Sequence, residues 1–160
     1  MKPAANKTNA ARLLEAASIR HTVREYPVDE ADLSGIHTAA VLGLPAEQLF
    51  KTLVLRGERT GYFVCCIPAN AELDPKKAAR AAGDKACAML PMKELLPVTG
   101  YIRGGCSPIG MKKKYPTFVD ETCILWEELL VSAGRRGVML ALAPEDLLRI
   151  AEATVCDLTV

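Results

Sequence analysis

The residues able to do chemistry fall together in one stretch, Gly100 to Lys114, which reads Gly-Tyr-Ile-Arg-Gly-Gly-Cys-Ser-Pro-Ile-Gly-Met-Lys-Lys-Lys. Glycines let backbone N–H groups approach a ligand closely, Ser107-Pro108 sets a turn, and the lysines supply positive charge suited to a phosphate-bearing partner. Upstream, Phe50-Lys51-Thr52-Leu53 adds a lysine and a hydroxyl at the start of a β-rich run. Backbone donors at Gly104 and Gly105 could stabilise a developing oxyanion, and Lys51 could bind a phosphate or help fix an ester. The hydroxyls of Thr52, Ser107 and Ser132 could orient a small ligand. A plainer reading stands beside this one: Gly-Gly and Ser-Pro also punctuate ordinary turns, and a lysine run is often solvated surface.

The commoner catalytic sets are missing. The sequence contains no G-x-S-x-G elbow, no P-loop, no H-E-x-x-H and no G-x-G-x-x-G after a strand. Cys106 could pair with His21 or His37 as nucleophile and base, but the spacing gives that pairing no support. The six cysteines sit mostly in apolar runs such as Phe63-Val64-Cys65-Cys66-Ile67, the behaviour of a small hydrophobe. Without a C-x-x-C pair, and with two widely separated histidines, neither a zinc site nor any other metal or cofactor is expected.

At 160 residues, half of them apolar, the chain has the length of one domain, 1–160, with enough apolar side chains for a substantial core. The formal net charge of +1 excludes a polybasic nucleic-acid binder, so contact with nucleic acid must use a local patch. No apolar run approaches the roughly 20 residues needed to span a bilayer, and residues 1–8 lack the apolar core of a signal peptide. A cytoplasmic protein with no membrane partner is expected.

The elements that must carry these residues can be read from periodicity and punctuation. A first helix, capped by Asn6 or Thr8, carries Ala11, Leu13, Leu14 and Ala17 and ends near Ser18. His21 to Tyr26 reads as a strand closed by Pro27. Asp32 or Ser34 caps a second helix that stops at Gly43. Lys51 to Arg56 and Tyr62 to Ile67 form a hairpin around Gly57–Gly61. Asp74-Pro75 opens a helix running to Gly83, and Pro91 starts a helical turn that ends before Pro97. Thr117–Val119, Cys123–Trp126, Leu129–Ser132 and Val138–Ala143 read as strands of one sheet. Residues 132–137 turn between the last two, and Pro144-Glu145-Asp146 opens a C-terminal helix. This mixture argues for an α+β domain with a mixed, strongly curved sheet and against a Rossmann fold.

Strand phase bears on Lys51. Side chains alternate faces, so Lys51, Leu53 and Leu55 share one face while Thr52, Val54 and Arg56 share the other. With the leucine face as the core face, Lys51 ends an inward stripe, partly desolvated and aimed at a cavity mouth. The alternative is an ammonium that snorkels to the rim.

Four segments together carry a resemblance: Phe50-Lys51-Thr52-Leu53, the run from Tyr101 to Gly110, the run from Val131 to Gly137, and Ala143-Pro144-Glu145-Asp146-Leu147. In this order they resemble the successive signatures of the YbaK/EbsC family, Cys-tRNA(Pro) deacylases related to the editing domain of bacterial prolyl-tRNA synthetase. The likeness covers essentially the whole chain, including the first helix and Tyr26. It implies a mixed, barrel-like sheet flanked by helices and hydrolysis of tRNA(Pro) mischarged with cysteine. The lysine matching Lys51 binds the substrate near the tRNA terminus in that family. Thr52, Gly104 and Ser132 line a small amino-acid pocket, and Tyr26 lies near its edge. Family chemistry is substrate-assisted, the substrate's own thiol attacking its carbonyl, and prolyl-tRNA synthetase can supply much of the tRNA affinity. The expected catalytic set is therefore Lys51, Gly104 and Ser132, with Tyr26, Thr52, Gly105 and Ser107 binding substrate.

Two departures bear on specificity. Ser34-Gly35-Ile36-His37 stands where relatives often carry an aromatic followed by Gly-Asp-Glu, and Met139 replaces a commonly polar or acidic residue. Clearance of Ala-tRNA(Pro) or another mischarged tRNA stays open. So do a non-catalytic nucleotide- or tRNA-binding module using Lys51, Lys76, Lys77 and Lys112 to Lys114, and a thiol redox protein using Cys65, Cys66 or Cys106.

Overall fold

A computed structural model describes residues 7–160. Helix α1 (Asn9–Ala16) is capped by Thr8, whose hydroxyl accepts from the Ala11 N–H at 3.2 Å; Asn6 lies outside the described residues. Its Ala10, Ala11 and Leu14 are buried in one cluster with Val131, Ala133 and Leu140. Strand β1 (His21–Glu25) leads to α2 (Gly35–Leu42), capped by Ser34 and stopped at Gly43. After a 3-10 turn at Ala46–Gln48 come the hairpin strands β2 (Phe50–Gly57) and β3 (Gly61–Pro68). Asp74 caps α3 (Pro75–Ala82), accepting from Lys76 and Lys77, and β4 (Cys87–Met89) follows. The remaining elements are α4 (Met92–Thr99), β5 (Thr117–Asp120), β6 (Leu129–Arg135), β7 (Val138–Leu142), α5 (Pro144–Ile150) and β8 (Thr154–Cys156).

The strands divide between two sheets. One is antiparallel, in the order β1-β7-β6. The other is mixed, in the order β4-β2-β3-β5-β8, with β5 parallel to both β3 and β8. A parallel bridge between Leu49 and Leu130 joins them where β2 begins. The α+β class with a mixed sheet is thus observed. The strands expected in one sheet are shared between two, and both strand orders are open among the described residues.

Three local expectations are corrected. Cys123–Trp126 does not extend: Glu121–Leu125 forms a 3-10 helix, started by Asp120 accepting from Thr122, with Cys123 pointing into the core. Helix α4 continues through Pro97 to Thr99. Pro97, sixth of its eight residues, removes one intrahelical bond without ending the helix, and the Gly100 N–H and the Thr99 hydroxyl still bond to the Leu96 and Leu95 carbonyls. Strand β6 runs past Ser132 to Arg135, with an irregularity between these two residues that bends it.

The hairpin β2–β3 lies between two cores. Phe63, Cys65 and Ile67 pack with Leu55, Ala78, Phe118 and Leu158, whereas Val64 and Cys66 pack with α1, β6 and β7. Burying each of the large side chains contributes about 1.5–3 kcal/mol before entropy is subtracted. Phe50 and Val54 are as buried as Leu55, so both faces of β2 are core faces. The phase argument for Lys51 therefore holds for Leu53 and Leu55 but does not distinguish the two sides. The buried Asp120 fastens the C-terminus here: one carboxylate oxygen accepts from the Leu158 N–H at 3.0 Å, the other from the Thr122 N–H and hydroxyl.

Candidate active site

A cavity of about 280 Å³ opens where the start of α2, the start of β2, β6, β7 and the loop after α4 converge. From β2 come Lys51, Thr52 and Leu53, preceded by Leu49 and Phe50. Leu33, Ser34, Gly35 and Thr38 form the wall around the start of α2. Ser132 reaches in from β6 and Met139 from β7. Tyr26, just beyond β1, stands beside them, and Arg103, Gly104 and Cys106 close the remaining side.

Each contributor is held by local chemistry. Ser34 caps α2 and its carbonyl accepts from the Thr38 hydroxyl at 3.2 Å, which fixes that wall. Tyr26 is tied to the β6–β7 turn by its N–H, which donates to the Gly137 carbonyl at 3.0 Å. The Ser132 hydroxyl oxygen accepts from the Gly134 N–H at 3.1 Å, leaving its own proton for another acceptor. The loop after α4 is pinned by Tyr101, whose hydroxyl donates to the Ile109 carbonyl at 2.6 Å.

Of the seven residues expected at the site, Tyr26, Lys51, Thr52, Gly104 and Ser132 line the cavity together. Gly105 and Ser107 do not. Gly105 is buried behind the wall, where a Cβ would stand 3.1–3.2 Å from the backbone of Arg135 and Arg136, and its N–H is taken by the Ile102 carbonyl. Ser107 is fully buried, and its hydroxyl accepts from the Ile109 N–H. Both residues shape the loop. The expected pair of oxyanion donors is thereby reduced to the Gly104 amide, which donates to no atom of the described residues. Leu33, Thr38 and Leu49 also line it without having been expected there, and Leu53 and Arg103 had been read only as members of the flanking motifs. Their positions depend on packing between distant segments, for which no local pattern exists.

Electrostatics set the chemistry of the cavity. Burial pushes the Lys51 ammonium below the usual lysine range, opposed by the negative charge of Glu72, and Lys51 makes no ion pair with a described carboxylate. Burial pushes the Cys106 thiol up to about 12, so thiolate is scarce at neutral pH. Cys66, 4.0 Å from the Thr52 hydroxyl, is likewise raised to about 12. Neither histidine lines the cavity: His21 sits 2.8 Å from the Ile19 carbonyl, and His37 lies between Asp29 and Asp32 at 3.9 Å from each. The lining contains no carboxylate. Among the described residues no three His, Cys, Asp or Glu side chains come together as a metal site.

The lysine run lies elsewhere. Lys113 and Lys114 border a separate hollow with Leu13 and Tyr115; Lys114 pairs with Glu152, and Lys112 donates to the Pro97 carbonyl. Lys77, on α3, is paired with Asp157 at 2.7 Å. None of these lysines lines the cavity with Lys51.

The chamber thus brings a lysine, hydroxyls and the unengaged Gly104 amide together, with no histidine or carboxylate in its lining. The sequence comparisons make the class specific: the chain belongs to the aminoacyl-tRNA editing domain family, which it matches over residues 34–150. It is 44% identical over 158 residues to EbsC of Enterococcus faecalis, provisionally named a Cys-tRNA(Pro)/Cys-tRNA(Cys) deacylase, covering 99% of this chain and 96% of that one. A stretch of 74 residues, 46% of this chain, is 32% identical to 13% of the proline–tRNA ligase of Fervidobacterium nodosum. A crystal structure described provisionally as a trans-editing enzyme for prolyl-tRNA synthetase superposes with a TM-score of 0.81 at 26% identity, covering 96% of this chain and 98% of the other. The family resemblance drawn from four sequence motifs is borne out.

Proposed function

We propose that the chain, as a single editing domain over residues 1–160, hydrolyses the ester of mischarged tRNA in trans, with Cys-tRNA(Pro) as its substrate. The observation that carries this reading is the chamber itself: about 280 Å³, with an unengaged Gly104 amide, Lys51 at hand, no histidine or carboxylate in its lining, and a Cys106 thiol that burial keeps protonated. Its kinship with EbsC, named for the same substrates, supports it.

In this reading Lys51 binds a phosphate near the tRNA 3′ terminus, and Tyr26 borders the aminoacyl group. The hydroxyls of Thr52 and Ser132 orient that group, and the Gly104 N–H donates to the ester carbonyl as negative charge develops on it. The substrate thiol attacks its own carbonyl carbon. A C–S bond forms, the bond from that carbon to the ribose oxygen breaks, and the thiol proton ends on the departing ribose hydroxyl. Water then opens the cyclic thioester to free cysteine. Such chemistry asks the protein for position and an oxyanion donor, which is what the lining supplies. A net charge of +1 accords with tRNA affinity supplied partly by prolyl-tRNA synthetase, in the cytoplasm where tRNA is charged.

Met139 and Ser34 favour one competing reading. Both line the chamber where relatives often carry other residues, and methionine adapts its shape, so Ala-tRNA(Pro) could also fit. Incubation with Cys-tRNA(Pro), Ala-tRNA(Pro) and Pro-tRNA(Pro), with and without synthetase, separates the readings. Selective loss of the cysteinyl ester is expected. Loss of the alanyl ester at an equal rate would move the assignment to general small-residue editing, and survival of all three would overturn the deacylase reading.

A further inference from the structure

We propose that Arg136 is a positioning residue, which fixes the direction in which the Gly104 amide points; the proposal rests on the deacylase reading above. Residues 102–105 form a β-turn, closed by the Gly105 N–H donating to the Ile102 carbonyl at 3.0 Å. Gly104, third in the turn, has φ +82°, while Arg103 is not among the residues of positive φ, and this combination defines a type II turn. The central peptide of the turn is the Arg103–Gly104 unit. Types I and II differ chiefly by rotating that peptide through about half a turn, which exchanges the sides on which its C=O and N–H stand.

Arg136 holds the peptide in one of these two states. Its Nε donates to the Arg103 carbonyl at 2.8 Å, a charge-assisted bond, and its Nε and Cγ lie 3.4–3.5 Å from where a Gly104 Cβ would be. The peptide is planar and trans, so the Gly104 N–H points away from the guanidinium. Gly104 lines the chamber and Arg136 does not. The N–H directed away from Arg136 is therefore the donor offered to the substrate carbonyl. Arg136 is in turn steadied from outside, its NH1 standing 3.7 Å from a Glu30 carboxylate oxygen. Without Arg136, a flip of the peptide would present the Arg103 carbonyl dipole to a developing oxyanion and withdraw the donor.

The test is single-turnover hydrolysis of Cys-tRNA(Pro) by wild type, Arg136→Met, Arg136→Lys and Glu30→Gln, with substrate affinity measured separately and the Gly104 amide followed by ¹⁵N NMR. Arg136→Met is expected to slow the chemical step about ten- to a hundredfold while affinity changes by less than about threefold. Lysine retains a cationic donor for the Arg103 carbonyl, so Arg136→Lys should recover most of the rate. Glu30→Gln leaves the carbonyl bond intact and should stay within about twofold of wild type. The Gly104 amide resonance should broaden or double in Arg136→Met, as expected of a peptide sampling two orientations. A wild-type rate in Arg136→Met, a loss confined to affinity, equal losses in the Met and Lys variants, or an unchanged Gly104 resonance would each overturn the proposal. An inactive wild type would instead overturn the deacylase reading. If Arg136→Met folds poorly, Arg136→Lys, Glu30→Gln and the resonance of wild type decide the question: a loss beyond about tenfold in either variant, or a doubled wild-type resonance, overturns it.

Discussion

Lys51 and Cys106 stand in one cavity with opposite prospects, and burial decides both. Desolvation lowers the lysine, so its ammonium gives way to the neutral amine at a lower pH than an exposed lysine's would. If the charge binds phosphate, activity should fall on the alkaline side with a midpoint below the usual lysine value of about 10.4, and Lys51→Arg should move that limb to higher pH. Lys51→Ala should cost a hundredfold or more in rate by the usual magnitude of a lost electrostatic contact. Cys106→Ala should cost less than about tenfold, because a thiol raised to about 12 holds its proton at neutral pH. A rate collapse in the Cys106 variant, measured on Cys-tRNA(Pro), would restore protein-side nucleophilic catalysis. At Gly104, alanine must adopt φ +82° and meet Leu33 and Arg136 at 3.4 Å. Thermal unfolding of Gly104→Ala should register a destabilisation of about 1–2 kcal/mol.

Among the elements, helix caps were legible in the sequence because cap chemistry is local. Ser34, Asp74 and Thr8 all perform as their side chains dictate. Strand identity at Cys123 was not, since a short apolar run reads alike as a buried strand or a 3-10 turn, and Asp120 decides the matter by capping the latter. The hairpin tip depends on a contact invisible to local pattern: the Asp84 carboxylate accepts from the Arg59 and Thr60 N–H groups at 2.8 and 2.9 Å, with Lys85 and the Thr60 hydroxyl adding to them. These bonds hold Asp84 well below the ordinary carboxylate range. The stabilisation is present above the unfolded value of about 3.9 and is lost as pH falls through the lower folded value. Wild type should therefore lose stability more steeply than Asp84→Asn in acid unfolding below about pH 4. Parallel curves would contradict the role of the carboxylate. Asp120 fastens β8 and the C-terminal residues to β5, and Asp120→Ala should lower unfolding free energy by about 2 kcal/mol or more in denaturant titration.

Over the whole molecule, two open sheets meet at the Leu49–Leu130 bridge, and the chamber forms beside that junction. Its walls come from segments up to about 110 residues apart in sequence, from Tyr26 to Met139. Motifs could nominate Lys51, Thr52, Gly104 and Ser132 because chemistry-bearing types cluster within short runs. They could not separate Gly104 from Gly105, because which neighbour faces the cavity depends on how the 102–105 turn docks on Arg135 and Arg136, nor show that the Ser107 hydroxyl is buried on the Ile109 N–H. In the proposed mechanism this assembly cleaves an ester by holding it while the substrate's own thiol attacks. The direct measurement is single-turnover hydrolysis of Cys-tRNA(Pro) against the same tRNA carrying S-methylcysteine, with synthetase present. Rapid loss of the free-thiol ester and survival of the methylated one is expected. Equal loss of both would show that water, not the substrate thiol, attacks the carbonyl, and survival of both would contradict deacylation altogether.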